Sequence, residues 1–210
     1  MKRISSIISK LNKILVVIFA FSIVSSSNSL IQAASNWKGY AVYRDGVFFN
    51  LNDHAALMDT ENISIYLPII HAVGSNGTVK FDHWSNFLGN NNYLGIYRPK
   101  NVSMTSTIQN SFVAKARELR GISYTVLDQI FYYIPETKMW VYPENITKLR
   151  CDGVVEYVYE WYGYRVGGAD GKWDITRNLR ANYFEHSGFN ITPRKQRSGL
   201  LTKVSSGLPN

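Results

Sequence analysis

The chain holds one cysteine and four histidines, and these five side chains bound the chemistry open to it. Cys151 lies in Arg-Cys-Asp-Gly, a polar and turn-like stretch immediately before a run of apolar and aromatic residues. A thiol attacks as its thiolate, and an ordinary cysteine is mostly protonated at neutral pH, so a nucleophilic cysteine needs surroundings that lower its pKa. A helix N-terminus offers partial positive charge from its unpaired N–H groups, and a facing imidazolium adds a full one. Cys151 stands where a helix is expected to start, which makes it the candidate nucleophile. Asp152 works in both directions: it favours the helix start and raises the thiol pKa.

Four histidines are available to supply the base. His54 opens the apolar segment HAALM, and His71 closes PIIHA. If these segments pair as antiparallel strands, the two imidazoles lie side by side at one end of the sheet, because residues opposite each other across a ladder share a face. Such a pair supplies a base, His54, and a second ring, His71, that fixes its tautomer through the other nitrogen. His83 belongs to a loop after a strand. His186, in FEHSGF, follows the cysteine and lies outside any apolar strand pattern. The chain has no HExxH, no cysteine pair and no His-x-His, so neither a metal site nor a cofactor is expected. It also lacks G-x-S-x-G and a glycine-rich phosphate loop, which argues against a serine hydrolase or a nucleotide enzyme.

The elements that must position these residues can be read from periodicity. Residues 40–49 read as strand with a turn at Asp45-Gly46, 54–58 and 63–72 as two further strands, and 78–81 as a fourth after the turn Ser75-Asn76-Gly77. After Pro99, Thr105 or Ser106 can cap a helix whose apolar positions Ile108, Phe112, Ala116 and Leu119 recur at helical spacing, and Gly121 stops it. Residues 126–134 form a short aromatic segment of undecided type. In RCDGVVEYVYEWYG, Val154, Val158 and Trp161 share a helical face, with Gly163 as the stop. Its β-branched and aromatic residues are poor intrinsic helix formers, so tertiary burial must hold this helix. Residues 191–204 read as a basic closing segment that docks in part, with Arg194, Lys195 and Arg197 on a solvated face.

Residues 1–34 combine a basic start (Lys2, Arg3, Lys10, Lys13) with an apolar core of about a dozen residues, too short for a bilayer span, and small residues toward Ala33 and Ala34. This is the plan of a secretory signal, and it implies an exported protein whose only membrane contact is through that segment. Residues 35–210 then make one domain. Four of the positive charges lie in the signal, so the net +8 of the whole chain falls to +4 in the mature part, too diffuse for nucleic acid. A monomer is expected.

HAALM followed by PIIHA resembles the histidine hairpin of the NlpC-type cysteine peptidases, and RCDGVVEYVYEWYG resembles their nucleophile helix. Here the histidines precede the cysteine, which is the order of the circularly permuted branch that includes YiiX- and YaeF-like proteins and relatives of lecithin:retinol acyltransferase. VYRDGVFF, LGIYRPK, RGISYTVLDQIF and ITPRKQRSGLLTKV are similar to other segments of that branch, so the likeness runs over most of residues 35–210. Arg150 and Asp152 depart from the usual neighbours of the nucleophile, HAALM lacks the common glycine, and the spacing from His54 to His71 is long.

The resemblance implies an α+β, papain-like fold, with an antiparallel sheet or half-barrel packed on a central helix that carries the nucleophile at its N-terminus. It implies a Cys151–His54–His71 site, an oxyanion hole that includes the backbone N–H of Cys151, and cleavage of an amide bond. Export makes cell-wall peptide the expected substrate. Two other readings stay open: a lipid amidase, thioesterase or acyltransferase using the same site, and a binding module whose site has decayed.

Overall fold

The computed structural model describes residues 36–47, 52–74, 76–133, 139–164, 166, 176 and 186–210. The expected secretory signal lies outside them, as do residues 48–49 of the first expected strand and residue 134 of the aromatic segment. Residues Asn36–Asn210 form one compact unit of mixed α and β structure. No helix among the described residues is long and apolar enough to cross a membrane.

Alternating apolar residues build an antiparallel sheet from the first half of the chain. Strands β1 (Ala41–Val47), β2 (Asn52–Met58), β3 (Ile69–Ala72) and β4 (Val79–Asp82) lie in a meander, β5 (Tyr93–Arg98) adds to the free edge of β1, and the last strand of the chain, β9 (Thr202–Ser205), closes that side. The order is β4-β3-β2-β1-β5-β9. A second sheet, β6 (Ser123–Tyr124), β8 (Ile146–Leu149) and β7 (Ile130–Tyr132), leads directly into the cysteine helix. Within the undecided aromatic segment only Ile130–Tyr132 is strand among the described residues.

Strand β2 is buried along its whole length, because the main sheet is covered on both faces. Helices α2 (Ser106–Glu118) and α3 (Cys151–Trp161) share one core with Ala41, Tyr43, Ala55, Leu57 and Ile70. The short helix α1 (Trp84–Leu88) brings Phe87 to the opposite face, against Val42, Ala56, Met58 and Ile69. Thr105 caps α2 by accepting from the Ile108 N–H at 3.4 Å. Helix α3 is buried from Cys151 to Glu160. Burial of its valines and tyrosines, each contributing about 1.5–3 kcal/mol, offsets their weak helix propensity.

Three expectations need correction. Asp45-Gly46 makes no hairpin turn: β1 runs through it, and Gly46, at φ +87°, sits where the β1–β2 register shifts between Arg44 and Val47. Strand β3 begins only at Ile69, because Leu67 turns the chain at φ +50° and Pro68 follows with its carbonyl accepting from the Asp59 and Thr60 N–H groups. The basic closing segment is only partly a solvated face at Arg194 and Arg197, whose side chains stay 42 % and 24 % exposed. Both reach the buried carboxylate of Asp53, at 3.1 Å and 2.8 Å, and so fasten helix α4 (Pro193–Lys195) to β2 one residue before His54. Asp53→Ala is expected to cost about 1–2 kcal/mol, since the two guanidinium groups lose their shared anion but remain partly solvated, read as a lower urea midpoint at unchanged slope.

Candidate functional site

The site forms where β2 and β3 part. Their ladder holds only Leu57↔Ile70 and Met58↔Ile69. Met58 exchanges backbone hydrogen bonds toward β1 (its N–H to the Tyr40 carbonyl, its carbonyl from the Gly39 N–H), so by alternation the Ala55 N–H points toward β3. With the ladder ended, that N–H is close enough to the Cys151 sulfur to pull its pKa down, as is the Asp152 N–H. The thiol is thus delivered by the first turn of α3 to the backbone beside His54.

The histidines span the same parting. Extending the ladder would set His54 opposite Val73, so His54 and His71 are diagonal neighbours rather than the directly opposed pair expected, and their rings close the offset. His54 Nε2 and His71 Nδ1 are 2.9 Å apart, and His71 Nε2 is 3.3 Å from Asp82 Oδ2. Both rings face Phe87, at 5.7 Å and 5.8 Å, on the α1 side of the sheet. Cys151 packs with the α2–α3 core on the other side. Sulfur and imidazoles therefore lie on opposite faces of the sheet near the parting of β2 and β3, and no Cys151–His54 hydrogen bond forms among the described residues.

Asp82 decides the tautomers. Burial opposes its charge, but hydrogen bonds from Lys80, Asn86, the His83 N–H and His71 outweigh burial and hold the carboxyl well below the usual carboxylate range. An anionic Asp82 accepts from His71 Nε2–H, which leaves the lone pair of His71 on Nδ1 to accept from His54 Nε2–H. The lone pair of His54 is then on Nδ1, the atom available to take a proton. Asp82 was not singled out by the sequence reading. Its signal was the β3–β4 hairpin, whose register sets His71 opposite Lys80 and Ile69 opposite Asp82. His83 takes the N-cap position of α1, with its ring edge-on to Tyr66.

The expected lowering of the thiol pKa is not present. Burial, reinforced by the Asp152 charge, pushes Cys151 up to about 12 against the opposing pull of the Ala55 N–H and Arg150. Burial also pushes His54 well below its ordinary value, with His71 and Arg44 adding to the shift, and pushes His71 down to about 4 against the pull of Asp82. The resting site holds a neutral thiol and neutral imidazoles. His186 behaves likewise, pushed down to about 4 by burial and by Arg150.

These shifts fix a stability trend. Unfolded histidines take up protons near pH 6.5, whereas folded His54, His71 and His186 resist until far lower, so stability is present above about pH 6.5 and is lost as the pH falls toward 4. The urea midpoint should drop steadily across that window; a flat profile would contradict the buried neutral state.

Behind the thiol, buried polar groups pin α3. Arg150 grips Asp152 with Nε and Nη2, at 2.7 Å and 2.9 Å, and donates to the Gly188 and Ile191 carbonyls. Gln129 bonds Asp152, Glu156 and, at 2.5 Å, the His186 Nδ1; Gln196 bonds Glu156 and the Asp152 carbonyl and accepts from the Tyr43 hydroxyl. His186 is thus part of this network, remote from the His54–His71 pair in its contacts. Gly153 lets α3 start against the Gln129 carbonyl: an added Cβ would lie 2.3 Å from that oxygen. Gly153→Ala should therefore destabilise by about 1–3 kcal/mol, seen as a lower melting temperature, despite the better helix propensity of alanine.

Comparison of the chain with protein-family models, curated proteins and solved structures finds no match.

Proposed function

We propose that this chain is an exported cysteine hydrolase with a permuted papain-like fold, cleaving an amide bond in cell-wall peptide through Cys151, His54 and His71, with Asp82 as a fourth, positioning group. Two observations support the proposal: a helix-borne thiol whose pKa the Ala55 N–H pulls down, one residue along β2 from His54, and a carboxylate-anchored pair of imidazoles. A core thiol kept only for packing would have no need of a neighbouring relay that ends in an anion.

In the proposed reaction His54 Nδ1 takes the thiol proton as the sulfur attacks the scissile carbonyl, so no standing thiolate is required. The first intrahelical bond of α3 runs from the Val154 N–H to the Arg150 carbonyl, and the preceding N–H groups of the first turn are left for capping or for an oxyanion. Collapse of the tetrahedral adduct expels the amine, protonated by His54, and leaves a thioester. Water, deprotonated by His54, then releases the acid and restores the thiol. Proton transfer needs sulfur and imidazole to close the gap, a tightening that accompanies substrate binding in many enzymes whose resting hydrogen bonds are long.

Incubation with purified peptidoglycan tests the reading. Soluble peptide fragments should be released by the wild type and by no Cys151→Ala sample. Release of acyl chains from lipid amides or esters instead would assign the same site to lipids. One observation favours a second reading, a binding module without turnover: the thiol is held neutral by burial and by Asp152. Binding of peptidoglycan with no fragment release by any sample would establish it.

A further inference from the structure

An open cleft of about 670 Å³ lies where the end of α2 meets the second sheet, a volume within the ordinary range of small-molecule sites. It shares no lining residue with the Cys151–His54–His71 site. Arg120 lines it from the end of α2, and Glu144 lines it from the single turn Pro143–Asn145 that precedes β8. Both residues are exposed. They share the cleft without pairing with each other, and neither side chain has a hydrogen-bond or ion-pair partner among the described residues. The Arg120 guanidinium carbon lies 5.5 Å over the ring of Phe81, which steadies the plane of the fork. Glu118, the other carboxylate of the cleft, is taken by Lys115 at 2.6 Å. The Thr147 hydroxyl donates to the Phe131 carbonyl at 3.2 Å and keeps its lone pairs for an incoming donor.

Opposite charges that line one cleft without meeting suit a ligand that carries both charges itself. Closing an Arg120–Glu144 pair directly would gain little, because exposed ion pairs are weak. A ligand that brings a carboxylate to the guanidinium fork and an ammonium to the Glu144 carboxylate makes a charge-assisted hydrogen bond at each end. Ile122 and Ile146 add aliphatic lining for apolar groups of that ligand. We propose that this cleft binds a short peptide with both ends free, its carboxylate on Arg120 and its ammonium on Glu144. The proposal does not rest on the hydrolase reading, although short free peptides are the class of product that cleavage of peptide amides supplies.

Three dialanine probes titrated calorimetrically into the Cys151→Ala protein at pH 7 and low salt test it, with turnover removed from the measurement. Free dialanine should bind, while dialanine amide, which lacks the carboxylate, and N-acetyl-dialanine, which lacks the ammonium, should each bind at least roughly tenfold more weakly, as expected for loss of one charge-assisted contact. Adding Arg120→Gln should abolish the preference for dialanine over its amide and leave the preference over the acetylated form. Adding Glu144→Gln should do the reverse. No binding of dialanine, equal binding of all three probes, or preferences that neither substitution alters would overturn the proposal. So would free alanine binding as tightly as dialanine, which would make this a site for a single amino acid. Should either variant fail to fold, the three probes on Cys151→Ala alone decide. Fragment release from peptidoglycan by the wild type bears on the hydrolase reading and leaves this outcome untouched.

Discussion

Substituting His54 by glutamine is expected to lower kcat/KM by roughly 100- to 10,000-fold, the usual contribution of a positioned general base, with little change in KM. Glutamine can still donate to His71 Nδ1 from its amide, so the relay and the parting of β2 and β3 should survive, and circular dichroism should match the wild type. His71→Gln and Asp82→Asn should lose less, because they act only through the orientation of His54 Nδ1. In Asp82→Asn the order is further testable. Without an anion, His71 loses the hydrogen bond and charge that pull its pKa upward, so its imidazole becomes still harder to protonate. A Cys151-dependent activity equally insensitive to all three substitutions would remove the histidines from the chemistry.

Arg150→Met should be the most destabilising single change near the site. Arg150 and Asp152 are both buried, and the guanidinium holds the carboxylate through two hydrogen bonds. Removing one partner strands the other charge in a dry environment, at about 3–5 kcal/mol, or a melting temperature lower by roughly 6–20 °C for a domain of this size. It also takes away a cation that counters the effect of Asp152 on the thiol, so Cys151 should become harder to ionise than in the wild type. Arg150→Met combined with Asp152→Asn should recover much of the lost stability, since the pair rather than either member is what the interior tolerates. Additive losses in the double variant would contradict the account of the pair.

The departures at Arg150 and Asp152 acquire a physical reason here. An acidic residue beside a nucleophilic thiol looked unfavourable in the sequence, where only its adjacency was visible. In the fold, Arg150 turns back to neutralise it, and the same guanidinium ties the closing loop at Gly188 and Ile191 to the helix start. Gly153 could be placed at that helix start by sequence, but the carbonyl of Gln129 that requires it lies in another strand hairpin.

Helix α2 was legible because it buries one face with a regular period, and β2 and α3, buried on every side, because their apolar and aromatic residues run almost without interruption. Residues 54–58, 106–118 and 151–161 carry patterns that local spacing preserves. The boundary of β3 was not, because Leu67 and Pro68 break the chain in a way that hydrophobicity alone does not record. Asp82 was hidden for a related reason: its partnership with His71 depends on the β3–β4 register, and nothing in the local sequence marks it as different from any strand-end carboxylate. The basic closing segment looked solvated because its counter-charge, Asp53, lies far away in sequence on β2. Charge pairing over long separations, and the pKa changes that burial brings, become visible only once the strands are placed.

In the proposed reaction Cys151 attacks an acyl carbon with His54 receiving its proton. Brief reaction with p-nitrophenyl acetate, followed by acid quench and peptide mass mapping, reads this step without any natural substrate. An acetyl group is expected on Cys151 in the wild type, formed far more slowly in His54→Gln and at the wild-type rate in His186→Gln wherever that variant is folded. An unmodified Cys151, or acetylation at the same rate with and without His54, would contradict it.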